Sequence, residues 1–574
     1  MSNRSVNSSG KKAFLGLVVN KPVFYPSLLV IVLSVALALI FSGQAEQSFE
    51  NAQQWVSQKG GWLYTICVNA FIAFCLFLAF GKYGSIRLGG PMARPEFSGK
   101  AWFAMLFSTG IGNGLVLFSI ADPVRDFMNP PRLAAGSEPN AIAQEAINFS
   151  FLHHGIHGWA IYTVIGLALA YFTYNRKMPL TIRSAFYPLL GDRIHGWIGH
   201  LIDVVAVVAT LFGLATTMGF GVGQINAGFH HVFGIPVGLG IQYIIILGVT
   251  AVATISVVLG VNRGIRFLSE LNIGVALIIF ILVLVLGPTA FIMKGYVQNV
   301  GSYLYNFVDL STWSGSYVNS SWHNNVTLMY WGWWASWSPF VGTFIARISR
   351  GRTIKEFILG VLFLPAMVTF LWFSAFGGTS MLGLMEGDFA LATAVNENVS
   401  TALYVFFEKF PFAMLLKVLG MVLICSFIIT SADSGALVVD GITSGGDRKT
   451  PAMQRILWAS LAGLIAAALL TGGGLVTLQA AVTISGLPFA VLLLLMCISL
   501  LKGIREDVGA DKAHTRPIEI RSAASRKYLK EEKYFQQVSS LEGQGPAGKM
   551  QAGEHGVRHQ KEKEGFVQAE LSEK

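Results

Sequence analysis

The chain has 574 residues, of which 53% are hydrophobic and only 13% charged, where a soluble globular protein carries roughly 25% charged residues. Apolar stretches of about twenty residues recur from Val23 to Leu501, so a soluble domain is excluded and lipid is the solvent for most of the chain. The formal net charge is +10, but its basic residues are scattered through short loops, which excludes the dense basic patch of a nucleic-acid-binding protein.

Taken in chain order, the apolar stretches divide into twelve candidate membrane helices. The first six lie near 23–43, 62–81, 101–124, 148–174, 194–221 and 237–260, and the second six near 271–293, 324–346, 356–383, 411–440, 453–472 and 474–501. An all-α integral membrane protein is expected, with a leader over 1–22, a membrane domain over 23–501 and a polar tail over 502–574. The first run follows a basic leader and lacks a small-residue cleavage pattern, so it reads as a retained helix. The four cysteines, Cys67, Cys75, Cys425 and Cys497, all sit in apolar stretches without a CxxC pair, and read as small core residues.

Charge orients the spans. Of 41 Lys and Arg, 14 lie from Lys502 onward; with twelve spans, 21 of the others fall on the side of the N-terminus, five on the opposite side, and Lys417 inside a span. Basic residues favour the cytoplasmic side, so both termini are expected in the cytoplasm.

Three places interrupt the apolar monotony. The third span holds Gly110, Ile111, Gly112, Asn113 and Gly114. These fit either close helix packing through small residues or an unwound segment with free carbonyls at midmembrane depth. The eighth span holds Trp331, Trp333, Trp334 and Trp337 within seven residues, followed by Pro339 and Gly342. Those rings point to different sides of a helix and cannot all join an interfacial belt, so some are expected to face a cavity, and the proline and second glycine to break the helix. Interruptions five spans apart suit two inverted five-helix repeats with a binding site where the broken helices meet. In the fourth span, Trp159 and Tyr162 form an aromatic edge that could face those tryptophans, while His153, His154 and His157 lie nearby. A box of aromatic faces suits a quaternary ammonium or sulfonium centre, which has no N–H to donate and is held by ring quadrupoles. His153 and His157 read as satisfied interior polar groups. No HExxH motif or carboxylate ligand set accompanies the histidines, so no enzyme active site and no catalytic residue are expected. In the tenth span, Thr430 and Ser431 are adjacent hydroxyls; with backbone carbonyls they suit an oxygen-only Na⁺ site, or they bond back to their own helix.

These residues resemble the betaine/carnitine/choline transporter (BCCT) family over nearly all of 14–505. The most specific part is WGWWASWSPFVGTFIARISRGRTIKEF from Trp331 to Phe357, and LHHGIHGWAIY and SADSGALVVD from Ser431 to Asp440 agree with it. The resemblance implies a LeuT-type fold of two inverted five-helix repeats after two extra helices, commonly a homotrimer, in the cell inner membrane. It implies secondary transport of a small zwitterionic quaternary ammonium osmolyte by Na⁺ symport, without any other cofactor. The alternatives are a Na⁺-independent betaine/carnitine-type exchanger, or uptake of a sulfonium such as dimethylsulfoniopropionate, an ectoine-like or a sulfonated compound. Carried over, the substrate box comprises His154, Trp159, Tyr162, Trp333 and Trp334, with Trp337 nearer the cytoplasm and Gly110, Gly112 and Gly114 at the helix break. The Na⁺ site comprises backbone at Ser108 and Ile111, the Phe427 carbonyl, and the Thr430 and Ser431 hydroxyls.

Three departures from the family pattern matter. His154 stands where betaine-binding members usually have Trp, which removes a cation–π face of about 0.5 to 2 kcal/mol and offers a hydrogen bond or a positive charge instead. Gly114 stands where proton-coupled choline carriers have Asp, which favours a zwitterion and Na⁺. Asn113 replaces an aliphatic residue, and Leu214 replaces a hydroxyl of a second Na⁺ site, which argues against two-Na⁺ stoichiometry. In the tail, Lys512 to Lys533 carries seven basic and three acidic residues, a candidate amphipathic helix on an anionic inner leaflet; Leu541 to Lys574 is expected to be disordered.

Overall fold

The structure, a computed structural model, describes residues 17–110, 112–134, 136–259, 266–318, 321–446 and 450–515. Two units are distinguished, 11–503 and a second formed by 1–10 with 504–574. Of the second, only Ile504 to Thr515 is described, as helix. The readings of the leader before residue 17 and of the tail beyond Thr515 therefore fall outside the described residues.

The described residues are almost entirely helical and contain no strand, only an isolated bridge between Arg87 and Thr353. The long helices are α1 (Lys21–Ile40), α2 (Ser42–Phe80), α3 (Gly99–Gly110), α4 (Asn113–Met128), α5 (Pro139–His154), α6 (Ile156–Tyr174), α7 (Trp197–Phe233) and α8 (Leu239–Leu259). They continue as α9 (Arg266–Leu286), α10 (Thr289–Tyr305), α11 (Leu328–Ile348), α12 (Ile354–Met385), α13 (Ala413–Thr443), α14 (Ala452–Thr471) and α15 (Gly474–Thr515). Among the described residues, ten stretches are long and apolar enough to cross a membrane, with α5 and α6 counted together. The third and eighth sequence segments fall outside that set. α3 and α4 are 12 and 16 residues long, short of the roughly 20 needed to span, while α11 is diluted by its polar and glycine positions. The two exceptions are thus the segments whose composition departs from plain spanning.

Burial sorts the helices into layers. The apolar window of Pro139–Tyr174 is 100% buried inside the protein, against 28% for α8 and for α9. α5 and α6 are therefore central, whereas α8 and α9 turn most of their apolar surface outward, as lipid-facing helices do.

Where helices stop follows local chemistry. Gly287 and Pro288 end α9 and begin α10. The polar stretch from Gln44 to Lys59, between the first two expected spans, forms the first turns of α2. It contains no glycine or proline and is rich in Ala, Glu and Gln, all good helix formers. Lys417, inside α13, is paired with Glu408 at 2.7 Å, which offsets the cost of a charge at that position.

The expected break in the eighth span is absent. α11 runs unbroken through Pro339 and Gly342. Proline removes the N–H that the Ala335 carbonyl would accept, and the Ser338 hydroxyl donates to that carbonyl instead at 2.7 Å. A break appears instead in the fourth span at Gly155, between α5 and α6. Its backbone adopts φ −101° and ψ −133°, and a Cβ there would strike the Phe370 ring.

α12 begins with a reciprocal cap. Thr353 Oγ1 accepts from the Glu356 N–H at 3.1 Å, and Glu356 Oε2 accepts from the Thr353 N–H at 2.9 Å. The segment before it is pinned to the α2–α3 connection: the Leu88 N–H donates to the Arg352 carbonyl and the Gly351 N–H to the Leu88 carbonyl, both at 2.9 Å. Thr353→Ala should destabilise the protein by about 1 kcal/mol, with Thr353→Ser nearly neutral. Thermal unfolding in detergent checks this, and equal midpoints for the two variants would show that the cap is not used.

Candidate functional site

The helix breaks converge on one cavity. Gly112, Asn113, Gly114 and Leu115 line it from the α3–α4 break, His154 from the end of α5, and Gly158, Trp159 and Tyr162 from α6. The opposite wall is Trp333, Trp334, Trp337 and Val341 of α11, with Thr217 of α7 and Thr369 of α12. The cavity that they enclose is small, about 70 Å³. Among the described residues its wall carries no Asp, Glu, Lys or Arg.

The tryptophans are held by their edges. Trp333 Nε1 donates to Thr217 Oγ1 at 3.2 Å, and Thr217 Oγ1 donates in turn to the Gly213 carbonyl at 3.1 Å. Trp337 Nε1 donates to that same carbonyl at 3.0 Å. Trp334 Nε1 donates to the His153 carbonyl at 2.7 Å, two residues before the break at Gly155. Every indole N–H of the box on α11 is therefore spent on protein, so the rings have faces and edges to offer, not donors. The Trp333 and Trp334 planes lie 6° apart with centroids at 5.3 Å. Trp159 meets Tyr162 edge-on at 5.5 Å, and Tyr162 meets Trp334 edge-on at 6.3 Å. Gly114 permits this closeness, because a Cβ there would lie 2.9 Å from Trp333 Cη2.

The break itself is tied to α7. Asn113 Nδ2 donates to the Thr217 carbonyl at 3.3 Å, and Gln224 Nε2 donates to Asn113 Oδ1 at 2.7 Å. A polar residue at position 113 thus braces the start of α4.

His154 is not an isolated ring. Its Nε2 lies 3.2 Å from Asp122 Oδ2, and since a carboxylate only accepts, Nε2 carries the proton. Tyr330 donates its hydroxyl to the same oxygen at 2.5 Å, and Arg125 Nη2 bonds Asp122 Oδ1 at 2.9 Å. Phe373 and Trp334 flank the imidazole at centroid distances of 4.7 and 5.6 Å. Asp122, Arg125 and Tyr330 were not among the residues expected from sequence. Their signal was available, since an acid inside an apolar run marks a functional position or a paired one.

His153 and His157 do not line the cavity. His157 Nε2 meets Ser311 Oγ at 2.8 Å and His153 Nε2 meets Thr327 Oγ1 at 3.0 Å. Among the described residues no group of three or more His, Cys, Asp or Glu side chains is placed to hold a metal ion.

The residues proposed for Na⁺ are reached only in part. Ile111 and the side chains of Ser108 and Gly110 lie outside the described residues. On α13, Thr430 Oγ1 donates to the Ser426 and Phe427 carbonyls at 2.9 and 3.0 Å and accepts from Asn272 Nδ2 at 3.1 Å. The hydroxyl bonds back to its own helix in this arrangement, and Ser431, the next residue, is half-buried. Asn272 Oδ1 beside them is buried without a hydrogen-bond partner, so one more oxygen is available to a hard cation there. Leu214 is buried against Gly435 of α13.

Removing the Thr217 hydroxyl leaves the buried Trp333 N–H unpaired, at a cost of about 1–3 kcal/mol. Thr217→Val should therefore lower the unfolding midpoint while Thr217→Ser does not; equal midpoints would show that Trp333 is held by packing alone.

Comparison with known proteins places this cavity in a family context. The family model described as betaine/carnitine/choline family transporter matches residues 22–509. The chain is 42% identical to "Glycine betaine transporter 1" of Vibrio parahaemolyticus over 498 residues, covering 86% of this chain and 95% of that one. It is 37% identical to "Glycine betaine transporter" of Acinetobacter baylyi, covering 88% and 77% of the two chains. A protein of the same organism named as an osmo-dependent choline transporter is 40% identical, over 85% of this chain and 71% of its own.

Proposed function

The chain belongs to the betaine/carnitine/choline transporter family, and from that premise we propose that it imports a small zwitterionic quaternary ammonium osmolyte by Na⁺ symport. The membership makes it a multi-pass membrane transporter and not an enzyme. The single observation that carries the substrate reading is the box of Trp159, Tyr162, Trp333, Trp334 and Trp337, whose α11 indole N–H groups are already bonded to protein. A trimethylammonium group asks for ring faces and no donor. An uncharged polyol would ask for hydrogen bonds that the α11 indoles no longer offer.

In this reading the finer architecture is that of two inverted five-helix repeats after two extra helices, twelve spans in all, with the break at Gly112 supplying a discontinuous helix at the site. The protein works as a homotrimer in the inner membrane with both termini cytoplasmic and the basic loops toward the anionic leaflet. Gly110, Gly112 and Gly114 let backbone approach the carboxylate end of the substrate. Na⁺ binds between the α3–α4 break and α13, through backbone at Ser108 and Ile111, the Phe427 carbonyl, and the Thr430 and Ser431 hydroxyls. Support for Na⁺ comes from the hydroxyl and carbonyl oxygens gathered at Thr430 and the free oxygen of Asn272.

Uptake of labelled glycine betaine into proteoliposomes should require an inward Na⁺ gradient and stop when K⁺ replaces Na⁺. Uptake unchanged without Na⁺ would favour an ion-independent exchanger. His154 is the position that sets preference among zwitterions. His154→Trp restores a cation–π face of about 0.5–2 kcal/mol and should strengthen glycine betaine relative to ectoine-like, sulfonium and sulfonated compounds by roughly 2- to 30-fold. Thermal stabilisation across that panel reads the ranking; an unchanged ranking would remove His154 from the specificity determinants.

A further inference from the structure

Behind His154 lies a buried charged cluster that neither the aromatic box nor the Na⁺ site uses. Asp122 and Asp126 sit four residues apart on α4, one turn along one face, and both are buried, at 0% and 1% exposure. Arg125 bridges them, at 2.9 Å to Asp122 and 3.4 Å to Asp126. With both acids ionised and His154 neutral, two carboxylates face one guanidinium, and the cluster carries one net negative charge. A net charge buried inside a protein is costly. Four carboxylate oxygens are also unequally served. Asp122 accepts from Arg125, Tyr330 and His154. Asp126 Oδ1 accepts from Arg125 and from Trp322 Nε1 at 3.2 Å. Asp126 Oδ2 is buried with no hydrogen-bond partner.

A second unserved atom lies across α5: His153 Nδ1 is buried and unpartnered, and its ring stacks on Tyr330 at 4.7 Å. The titratable and charged groups bearing on the cluster are Asp122, Arg125 and Asp126 on α4, His153 and His154 on α5, Tyr330 on α11 and His323 just before it. Glu145 of α5 is engaged by Arg132 at 2.7 Å. The Arg125 side chain is 29% exposed, so the cluster has an edge through which a proton can be exchanged, and His154 connects its other side to the cavity wall.

We propose that Asp122, Arg125, Asp126 and His154 form a proton site beside the cavity, which takes up one proton when a zwitterion binds. The proton comes from solvent by the exposed edge of Arg125 and forms an O–H bond at Asp126 Oδ2. The donor is a hydronium ion, whose O–H bond breaks to leave water, and the cluster goes from one net negative charge to none. The coupling is electrostatic. A zwitterion has no net charge, but in the cavity it displaces water from beside His154, which raises the cost of the cluster's net negative charge, and the proton removes that charge. His154 links the two, since its Nε2–H is held by Asp122 while its ring lines the cavity. The coupling rests on the reading of the cavity as a zwitterion site; the proton site itself does not.

Two measurements on the purified full-length protein test it. Binding of glycine betaine, followed from about pH 5 to pH 9 at fixed Na⁺, should weaken toward about tenfold per pH unit on the alkaline side for wild type, and should be flat for Asp126→Asn. Isothermal titration in two buffers of different ionisation heat should give uptake of a proton by wild type and none by the variant. A flat wild-type profile with no proton uptake overturns the coupling. An infrared pH titration without substrate should show a protonated carboxylic acid in wild type that is lost with rising pH and absent from Asp126→Asn. If no such band distinguishes the two, the proton site is overturned. Should no zwitterion bind in any buffer, the substrate reading fails while the infrared titration still decides the site. If Asp126→Asn fails to fold, His154→Gln, which keeps a donor for Asp122 but cannot be protonated, is read by the same infrared band: the Asp126 acid should persist, and its loss would count against the assignment to Asp126.

Discussion

A peptide group freed from a helix inside hydrocarbon has no water to bond, so each break must be met by other protein groups. That constraint organises the centre of this transporter. At the α3–α4 break the first side chain of α4, Asn113, is braced by α7 through the Thr217 carbonyl and Gln224. At Gly155 the chain turns against Phe370, and the carbonyl of His153 just before it takes the Trp334 N–H. The polar groups that sustain the interruptions also fix the side chains around them, so the cavity arises where the helices stop.

The same economy governs the aromatic wall. Trp333 and Trp337 both lead to Gly213, one through Thr217 and one directly. Locking an indole by its N–H leaves the ring rigid and its quadrupole unopposed, and rigid aromatic faces bind a cation at little cost in side-chain entropy. His154 alone departs from this pattern. It is held from behind by an acid that is itself held by Arg125 and Tyr330, so the substitution of an imidazole for an indole brings a charged network to the edge of an otherwise uncharged wall.

Much of this was legible in the sequence. The helical class and the recurring apolar lengths follow from composition, and the glycines from 110 to 114 marked a true interruption between α3 and α4. The tryptophan cluster pointed to a cavity, since four indoles around one helix cannot all face the membrane interface. The second interruption was misplaced. Pro339 looked like a breaker, but Ser338 serves the carbonyl that proline leaves free, and this local rescue depends on a rotamer that the pattern of residue types does not specify. Gly155 looked like one small residue among several, and only the packing of Phe370, more than two hundred positions away, shows that a side chain has no room there.

By itself the sequence determined the solvent, most of the helices and the aromatic character of the candidate site, because apolar length, glycine clusters and aromatic density are properties of adjacent residues. Only the tertiary structure decided which groups work together. Asp122 meets His154 and Tyr330 from three different helices, and Asn113 meets Gln224 across another pair. A buried polar group must find its partner somewhere, but hydrogen bonds reach only about 3 Å, and which residues come within that reach is set by how the helices pack.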